Sequence, residues 1–101
     1  MQKENLKVVV KELKERGFKI NEDLDKSMKK TYKKLINNYA VKITALDENR
    51  VYLLTVSIFE DGYRFSIMDK GGIIRLVSLK DTTPLEVITE YIDKCYNFFR
   101  I

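Results

Sequence analysis

One dipeptide, Asp61-Gly62, constrains the fold of this chain more than any other feature. It stands between two runs rich in β-branched and aromatic residues, and Asp-Gly in that setting is a strong signal for a β-hairpin. With these two residues as the loop, Ile58 pairs with Phe65 and Val56 pairs with Ile67. Because side chains alternate along a strand, these pairs share one apolar face and leave a mixed face on the other side.

The same alternation extends the hairpin into a four-stranded antiparallel meander. Glu48-Asn49 is the first predicted turn, and it pairs Ile43 with Leu54. The last turn lies at Lys70-Gly71 or at Gly71-Gly72, and both choices keep the same faces. The predicted core face holds Tyr39, Val41, Ile43, Ala45, Tyr52, Leu54, Val56, Ile58, Phe65, Ile67, Ile74 and Leu76.

Apolar residues at helical spacing predict three helices around this meander. Gly17 is suited to end the first helix, Asn21 to cap the second, and Thr83-Pro84-Leu85-Glu86 to start the third through a capping box. The predicted elements are helices over residues 5–16, 22–36 and 84–98 and strands over residues 39–46, 51–60, 63–69 and 73–79. The order α-α-β-β-β-β-α predicts a single α+β domain over residues 1–101.

A sheet of four strands leaves one of the three helices without an assigned place. Four strands span about 19 Å and helices pack about 10 Å apart, so two helices cover one face. The strand charges on the second face are all basic, namely Lys42, Arg64 and Arg75. The sequence leaves open whether the third helix covers that second face or whether the face is kept for a partner.

The predicted second helix carries a stripe of lysines opposite its apolar side. The stripe consists of Lys26, Lys29, Lys30, Lys33 and Lys34. The first 50 residues hold 13 Lys and Arg against eight Asp and Glu, so the positive charge is concentrated in that half. Like charges four residues apart cost a few tenths of a kcal/mol each, and folding alone gives no reason for the stripe.

Several kinds of chemistry have no support in the residues. The chain has no histidine, the commonest general acid–base residue and transition-metal ligand. The lone Cys95 falls on the apolar stripe of the last helix, where a packing thiol is expected. Asp47, Glu48 and Asp69 offer carboxylates near the sheet, but solvated loop acids are the simpler interpretation. We therefore expect no enzyme activity, cofactor or metal.

The chain also lacks signals for export or membrane insertion. No run approaches the roughly 18 apolar residues of a membrane span, and the first residues contain no apolar signal core. A single cysteine fits a reducing compartment. We expect a cytoplasmic protein that does not associate with a membrane.

The first functional hypothesis is a binding protein for an anionic partner, either nucleic acid or a nucleoprotein complex. A basic surface attracts phosphate groups, and an aromatic ring beside it can stack on bases. Phe59 next to Arg64 is the predicted stacking platform. The predicted binding residues are Lys26, Lys29, Lys30, Lys33, Lys34, Lys42, Phe59, Arg64 and Arg75.

The alternative hypothesis is a protein–protein interaction module. Val87, Tyr91 and Phe98 widen the apolar stripe of the last helix beyond what one buried face needs, and aromatic residues are favoured at interfaces. Such a module would be a homodimeric accessory protein or a phage or mobile-element inhibitor of a host protein complex. The competing interpretation is that all three helices wrap the sheet.

Overall fold

The computed structural model of this protein describes residues 3–45 and 50–98. The elements in these ranges are α1 (Lys3–Glu15), β1 (Lys19–Ile20), α2 (Glu22–Thr31), β2 (Leu35–Thr44), β3 (Val51–Phe59), β4 (Gly62–Asp69), β5 (Gly72–Lys80) and α3 (Leu85–Asn97). The strands form one antiparallel sheet in the order β1-β2-β3-β4-β5. The α+β class with an antiparallel meander is confirmed, and β1 is an additional strand that was not predicted. The predicted turn at Glu48-Asn49 and the carboxylates of Asp47 and Glu48 lie outside the described residues.

The boundary between α2 and β2 differs from the prediction, which continued the helix to residue 36. The helix ends at Thr31, and Tyr32 is already extended, with φ −111° and ψ 101°. β2 begins at Leu35, which lets it pair with β3 as far as Phe59. Pairing of β2 along the whole of β3 stabilises the fold more than a longer α2 would, because five more helical residues would add like-charge lysine pairs.

The central hairpin forms, but its turn lies one residue earlier than predicted. Phe59 pairs with Gly62, so Glu60 and Asp61 are the two loop residues. The pairing shifts by an even number of residues, and the two faces stay as predicted. Gly62 has a steric role here, because a Cβ atom at this position would collide with the carbonyl oxygen of Leu79.

The strand pairing of the first hairpin is also shifted by an even number of residues from the prediction. Ile43 pairs with Tyr52 instead of Leu54, and the N–H of Ala45 donates to the carbonyl of Arg50 at 2.8 Å. Val41 is partly buried. The buried members of the predicted core face are Tyr39, Ile43, Ala45, Tyr52, Leu54, Val56, Ile58, Phe65 and Ile67.

β5 is the strand whose predicted faces are wrong. Ile67 pairs with Arg75, and a bulge between the partners of Ile67 and Met68 inserts one residue into β5. Because side chains alternate, one extra residue reverses the faces of the strand that follows. Ile74 and Leu76 are therefore 54% and 51% exposed instead of buried. Arg75 lies on the core side of the sheet edge and not on the second face.

The helix ends agree with the prediction at two positions and differ at a third. Gly17 follows α1 with a left-handed φ of 82°, and the Asn21 side chain caps α2 by accepting from the N–H of Leu24 at 3.2 Å. At the start of α3 the predicted Thr83 capping box does not form. Pro84 occupies the N-cap position instead, with no side-chain cap.

Helices α1 and α3 cover the apolar face of the sheet. Val9 and Leu13 of α1 and Ile88 and Ile92 of α3 are buried in the core with the strand residues. Arg16, just after α1, joins the two helices by donating to Asp93 of α3 and to Glu12 of α1. These two helices therefore supply the layer that the sheet requires.

Helix α2 covers part of the second face. The backbone N–H of Asn38 donates to Asp25 Oδ1 at 2.8 Å, and Asn38 Nδ2 donates to Ser57 Oγ at 2.7 Å. The sulfur of Met28 lies 3.7 Å from that Asn38 nitrogen. Asn38, Ser57 and Asp25 are all buried. The helix that the sequence left without a place thus closes the β2–β3 part of the second face.

Asp25 links α2 to the sheet and is expected to make stability depend on pH. Burial alone would raise its pKa, but the hydrogen bond and charge of Lys29 at 2.8 Å, with the N–H of Asn38, hold the pKa of Asp25 below its ordinary value. The stabilisation is complete above the unfolded-state pKa of about 3.9 and is lost as the pH falls through the lower folded-state pKa. Asp25→Ala should cost about 1–3 kcal/mol at pH 7, because the buried Asn38 N–H loses its acceptor.

Urea unfolding at pH 7 and at pH 3 measures the stability that Asp25 contributes and its loss in acid. Asp23→Ala is the control, on the exposed side of the same helix turn. We expect Asp25→Ala to flatten the loss of stability in acid and Asp23→Ala to leave it unchanged. Equal acid sensitivity in the wild type and Asp25→Ala would contradict the assigned role.

Candidate anion-binding site

A cleft of about 560 Å³ opens where the end of α2 meets the β3–β4 turn and the end of β5. We call it the Tyr32 cleft. Four cationic side chains and one carboxylate line it, together with the rings of Tyr32 and Phe59. The charged lining residues are Lys33, Lys34, Arg64, Lys80 and Asp61. Positive charge therefore exceeds negative charge at this cleft.

Backbone hydrogen bonds fix the lysines of the cleft beside the central hairpin. The N–H of Leu35 donates to the carbonyl of Tyr32 at 3.3 Å, which closes a tight turn around Lys33 and Lys34. The N–H of Glu60 donates to the carbonyl of Lys34 at 2.9 Å. The turn after α2 is thereby attached to the turn between β3 and β4.

Arg64 is held by two aromatic rings. Its guanidinium carbon lies 5.3 Å from the ring centre of Tyr32 and 5.2 Å from that of Phe59, within the range of cation–π contacts. The two rings meet edge to face with centres 5.8 Å apart. Phe59 is 8% exposed and Tyr32 is 40% exposed. Phe59 and Arg64 are neighbours as predicted, and Tyr32 is the more exposed of the two rings.

Lys34 and Asp61 form the one ion pair seen at the cleft among the described residues. Their charged atoms are 3.6 Å apart, and the side chains are 64% and 65% exposed. An ion pair this exposed contributes little to stability, because water screens it. Lys34 can therefore exchange the carboxylate for a phosphate oxygen at low cost.

The other lysines of the predicted stripe lie on α2, apart from Lys33 and Lys34. Lys29 pairs with the buried Asp25, which gives it a structural role. Lys26 and Lys30 are exposed on the same helix. A single stripe of five lysines does not exist, because the helix ends before its last two members.

Lys42 and Arg75 also lie away from the cleft. Asn38, Ser57 and Arg64 lie side by side across β2, β3 and β4. Lys42 is four residues along β2 from Asn38, roughly 13 Å from that row. Arg75 borders a groove beside α3 with Tyr91 and Cys95. Burial raises the pKa of the Cys95 thiol above its ordinary value, with Arg75 and Tyr91 opposing that shift.

The three residues of the alternative protein interface differ in their exposure. Val87 on α3 and Phe98 just after it are exposed. Tyr91 is partly buried, and its ring packs edge to face on Phe65 with centres 4.9 Å apart. Tyr91 thus contributes to the internal packing of α3 on the sheet.

Sequence reasoning missed two members of the cleft, Tyr32 and Lys80. Tyr32 falls within the helix predicted over residues 22–36, where helical spacing gives it no role at a binding site. Lys80 pairs with Gly62 across β4 and β5. Either candidate turn brings Lys80 near the hairpin turn, but only the bulge in β5 places it on the same face of the sheet as Arg64. The position of the bulge therefore decides on which face Lys80 lies, and the glycine-containing turn does not specify that position.

Within residues 3–45 and 50–98, no three His, Cys, Asp or Glu side chains group so as to hold a metal ion. None of the helices in these ranges has the length and apolar character needed to cross a membrane. Comparisons with protein-family models, with curated proteins and with solved structures find no match.

Proposed function

We propose that this protein is a non-catalytic binding protein that holds the backbone of a single-stranded nucleic acid, free or within a nucleoprotein complex, in the Tyr32 cleft. The observation that carries the proposal is the convergence of four cationic side chains and one exposed aromatic ring on a single cleft. The cations come from the turn after α2, from β4 and from β5, so the fold and not a local charge run assembles them.

The four cations supply the sequence-independent part of the binding. Lys33, Lys34 and Lys80 are exposed at the rim, and Arg64 lies deeper against the two rings. For single strands, the logarithm of the binding constant falls with the logarithm of salt concentration by about 0.7 for each phosphate contacted. Three or four contacts predict a slope of about −2 to −3.

Tyr32 supplies the contact that favours a single strand over a duplex. Phe59 and Arg64 support the ring from the protein side, and its remaining surface is open to solvent. Stacking on such a ring requires a base with a free face, which a duplex does not present. Stacking contributes about 1–3 kcal/mol per base and tolerates any sequence.

Substituting Tyr32 tests the proposal. Tyr32→Ala should weaken binding of a labelled single-stranded DNA or RNA oligonucleotide by roughly 5- to 150-fold, which corresponds to one lost stack. Tyr32→Phe keeps the ring and should bind nearly as tightly as the wild type. Fluorescence anisotropy titrations at several salt concentrations measure both the affinity and the slope.

Two results would overturn the proposed function. One is wild-type protein that does not bind single strands at low salt. The other is binding by Tyr32→Ala that matches Tyr32→Phe. Urea unfolding of both variants distinguishes a lost contact from a lost fold, since Tyr32 also contacts Phe59 and Arg64.

A further inference from the structure

β5 forms one edge of the sheet and has a strand neighbour on one side only among the described residues. None of its nine residues is buried, and Ile73, Ile74 and Leu76 are each more than half exposed. Proteins normally cover, shorten or interrupt an apolar edge strand, because its free backbone groups pair readily with another strand. An edge of this length and composition therefore calls for an occupant.

The hydrogen bonds on the inner side show which residues of β5 face outward. The N–H of Asp81 donates to the carbonyl of Asp61 at 3.1 Å, which marks a hydrogen-bonded pair just beyond Lys80 and Gly62. Hydrogen-bonded and non-hydrogen-bonded pairs alternate in an antiparallel ladder. The backbone groups of Leu76, Ser78 and Lys80 therefore point away from β4, toward the open edge.

We infer that the open edge of β5 pairs with the same edge of a second copy of this chain, giving a two-fold dimer with a continuous ten-stranded sheet. Antiparallel pairing about Val77 stays within the regular part of the strand, after the bulge at Ile74. It places Leu76 opposite Ser78 and Arg75 opposite Leu79 of the second copy. No like charges lie opposite each other, which such pairing requires.

The charges beside β5 also favour a second copy as the occupant. The groove of about 560 Å³ between β5 and α3 is lined by two cations and two acids, Arg75, Lys94, Glu90 and Asp93. The surface is balanced although the chain as a whole carries +4. Asp93 is already paired with Arg16. A strongly acidic partner would lie against Glu90 and a strongly basic one against Arg75 and Lys94, whereas a two-fold axis can bring the cations of one copy toward Glu90 of the other.

A dimer through this edge would draw on β5 and on the side of α3 next to it. A standard interface uses about 800 Å² and 20–30 residues on each side, which is about 12% of the 6856 Å² exposed by this chain. β5 contributes nine residues, and Glu90, Asp93 and Lys94 are among the α3 residues that line the groove beside it. Phe98, 53% exposed just after α3, adds a large apolar side chain to this surface.

The dimer would place both Tyr32 clefts on the same face of the extended sheet. Lys80 is three residues from Val77, so the two copies of Lys80 lie six residues apart along the strands, or about 20 Å. One single strand could then contact both clefts. This consequence rests on the proposed function, whereas the dimer itself does not.

Two substitutions and a matched control test the dimer. Leu76→Lys places two lysines near each other across the axis, and Ser78→Pro removes an outward N–H that β4 does not use. Val51→Lys is the control, because Val51 is on the same face with the same exposed fraction of 51%, but it belongs to β3. Sedimentation equilibrium over a concentration series, without nucleic acid, gives the mass.

We expect the wild type and Val51→Lys to approach twice the chain mass of 11.9 kDa as concentration rises. Leu76→Lys and Ser78→Pro should require at least tenfold higher concentration while still unfolding cooperatively. A wild type that stays at 11.9 kDa up to about 0.5 mM, or equal weakening by Val51→Lys, overturns the inference. Because no nucleic acid is present, the dimer and the proposed function can fail independently.

Discussion

Reversing the charges of Lys33 and Lys34 together is expected to weaken binding of a single-stranded oligonucleotide by 100-fold or more at 50 mM salt. At that salt concentration each phosphate contact contributes about eightfold to affinity through counterion release, so two lost contacts account for about 70-fold. The new glutamates add repulsion to that loss. The slope of affinity against salt should also become shallower by about 1.4. Anisotropy titrations of Lys33→Glu with Lys34→Glu measure both quantities.

A matched control separates the cleft from net charge. Lys7 and Lys14 are exposed on α1, which covers the opposite face of the sheet from α2. Their double replacement by Glu changes the net charge by the same amount and should weaken binding only a few-fold. Equal losses in the two double variants would show that binding depends on total charge, and they would remove the cleft as the specific site.

The largest effect on stability is expected for Asn38→Asp, at about 3–5 kcal/mol. Asn38 is fully buried between α2 and β3, where its side chain donates to Ser57 and contacts Met28. Its Oδ1 atom has no hydrogen-bond partner among the described residues. A carboxylate at this position would lose the donated hydrogen bonds, lie close to Asp25 and carry an uncompensated buried charge.

The pH dependence of this variant provides its own control. Burial raises the pKa of a carboxyl group, so stability of Asn38→Asp should recover as the pH falls from 7 toward 5 and the new group becomes protonated. Asn38→Leu, of similar size but uncharged, should cost less and show no such recovery. Urea unfolding across this pH range measures both. Equal costs for the two variants at pH 7 would contradict the placement of α2 over Asn38.

Most of the sheet could be predicted because alternation fixes which side chains share a face, even where the exact partners are wrong. The first two hairpins are shifted by an even number of residues, so Tyr52, Leu54 and Phe65 are buried as expected. The bulge in β5 adds a single residue, so Ile74 and Leu76 lie on the opposite face from the predicted one. Neither candidate turn, Lys70-Gly71 or Gly71-Gly72, specified that insertion.

The binding site could be predicted only in part, because tertiary pairing decided where its residues lie. Helical spacing placed Lys33 and Lys34 on a helix, but pairing of β2 with β3 draws them into a turn beside Arg64. The nearness of Phe59 and Arg64 followed from the strand pattern alone. Tyr32 and Lys80 join them only through the end of α2 and the register of β5, which local patterns do not encode.

The most direct test of the account is to map the binding surface on the nitrogen-15-labelled wild-type protein by NMR. Backbone amide shifts are followed while a short single-stranded oligonucleotide is added at low salt. We expect the largest changes at residues 32–34, Arg64 and Lys80, with small changes along α1. Changes concentrated on α1 or on the open edge of β5, with the Tyr32 cleft unaffected, would contradict the central claim.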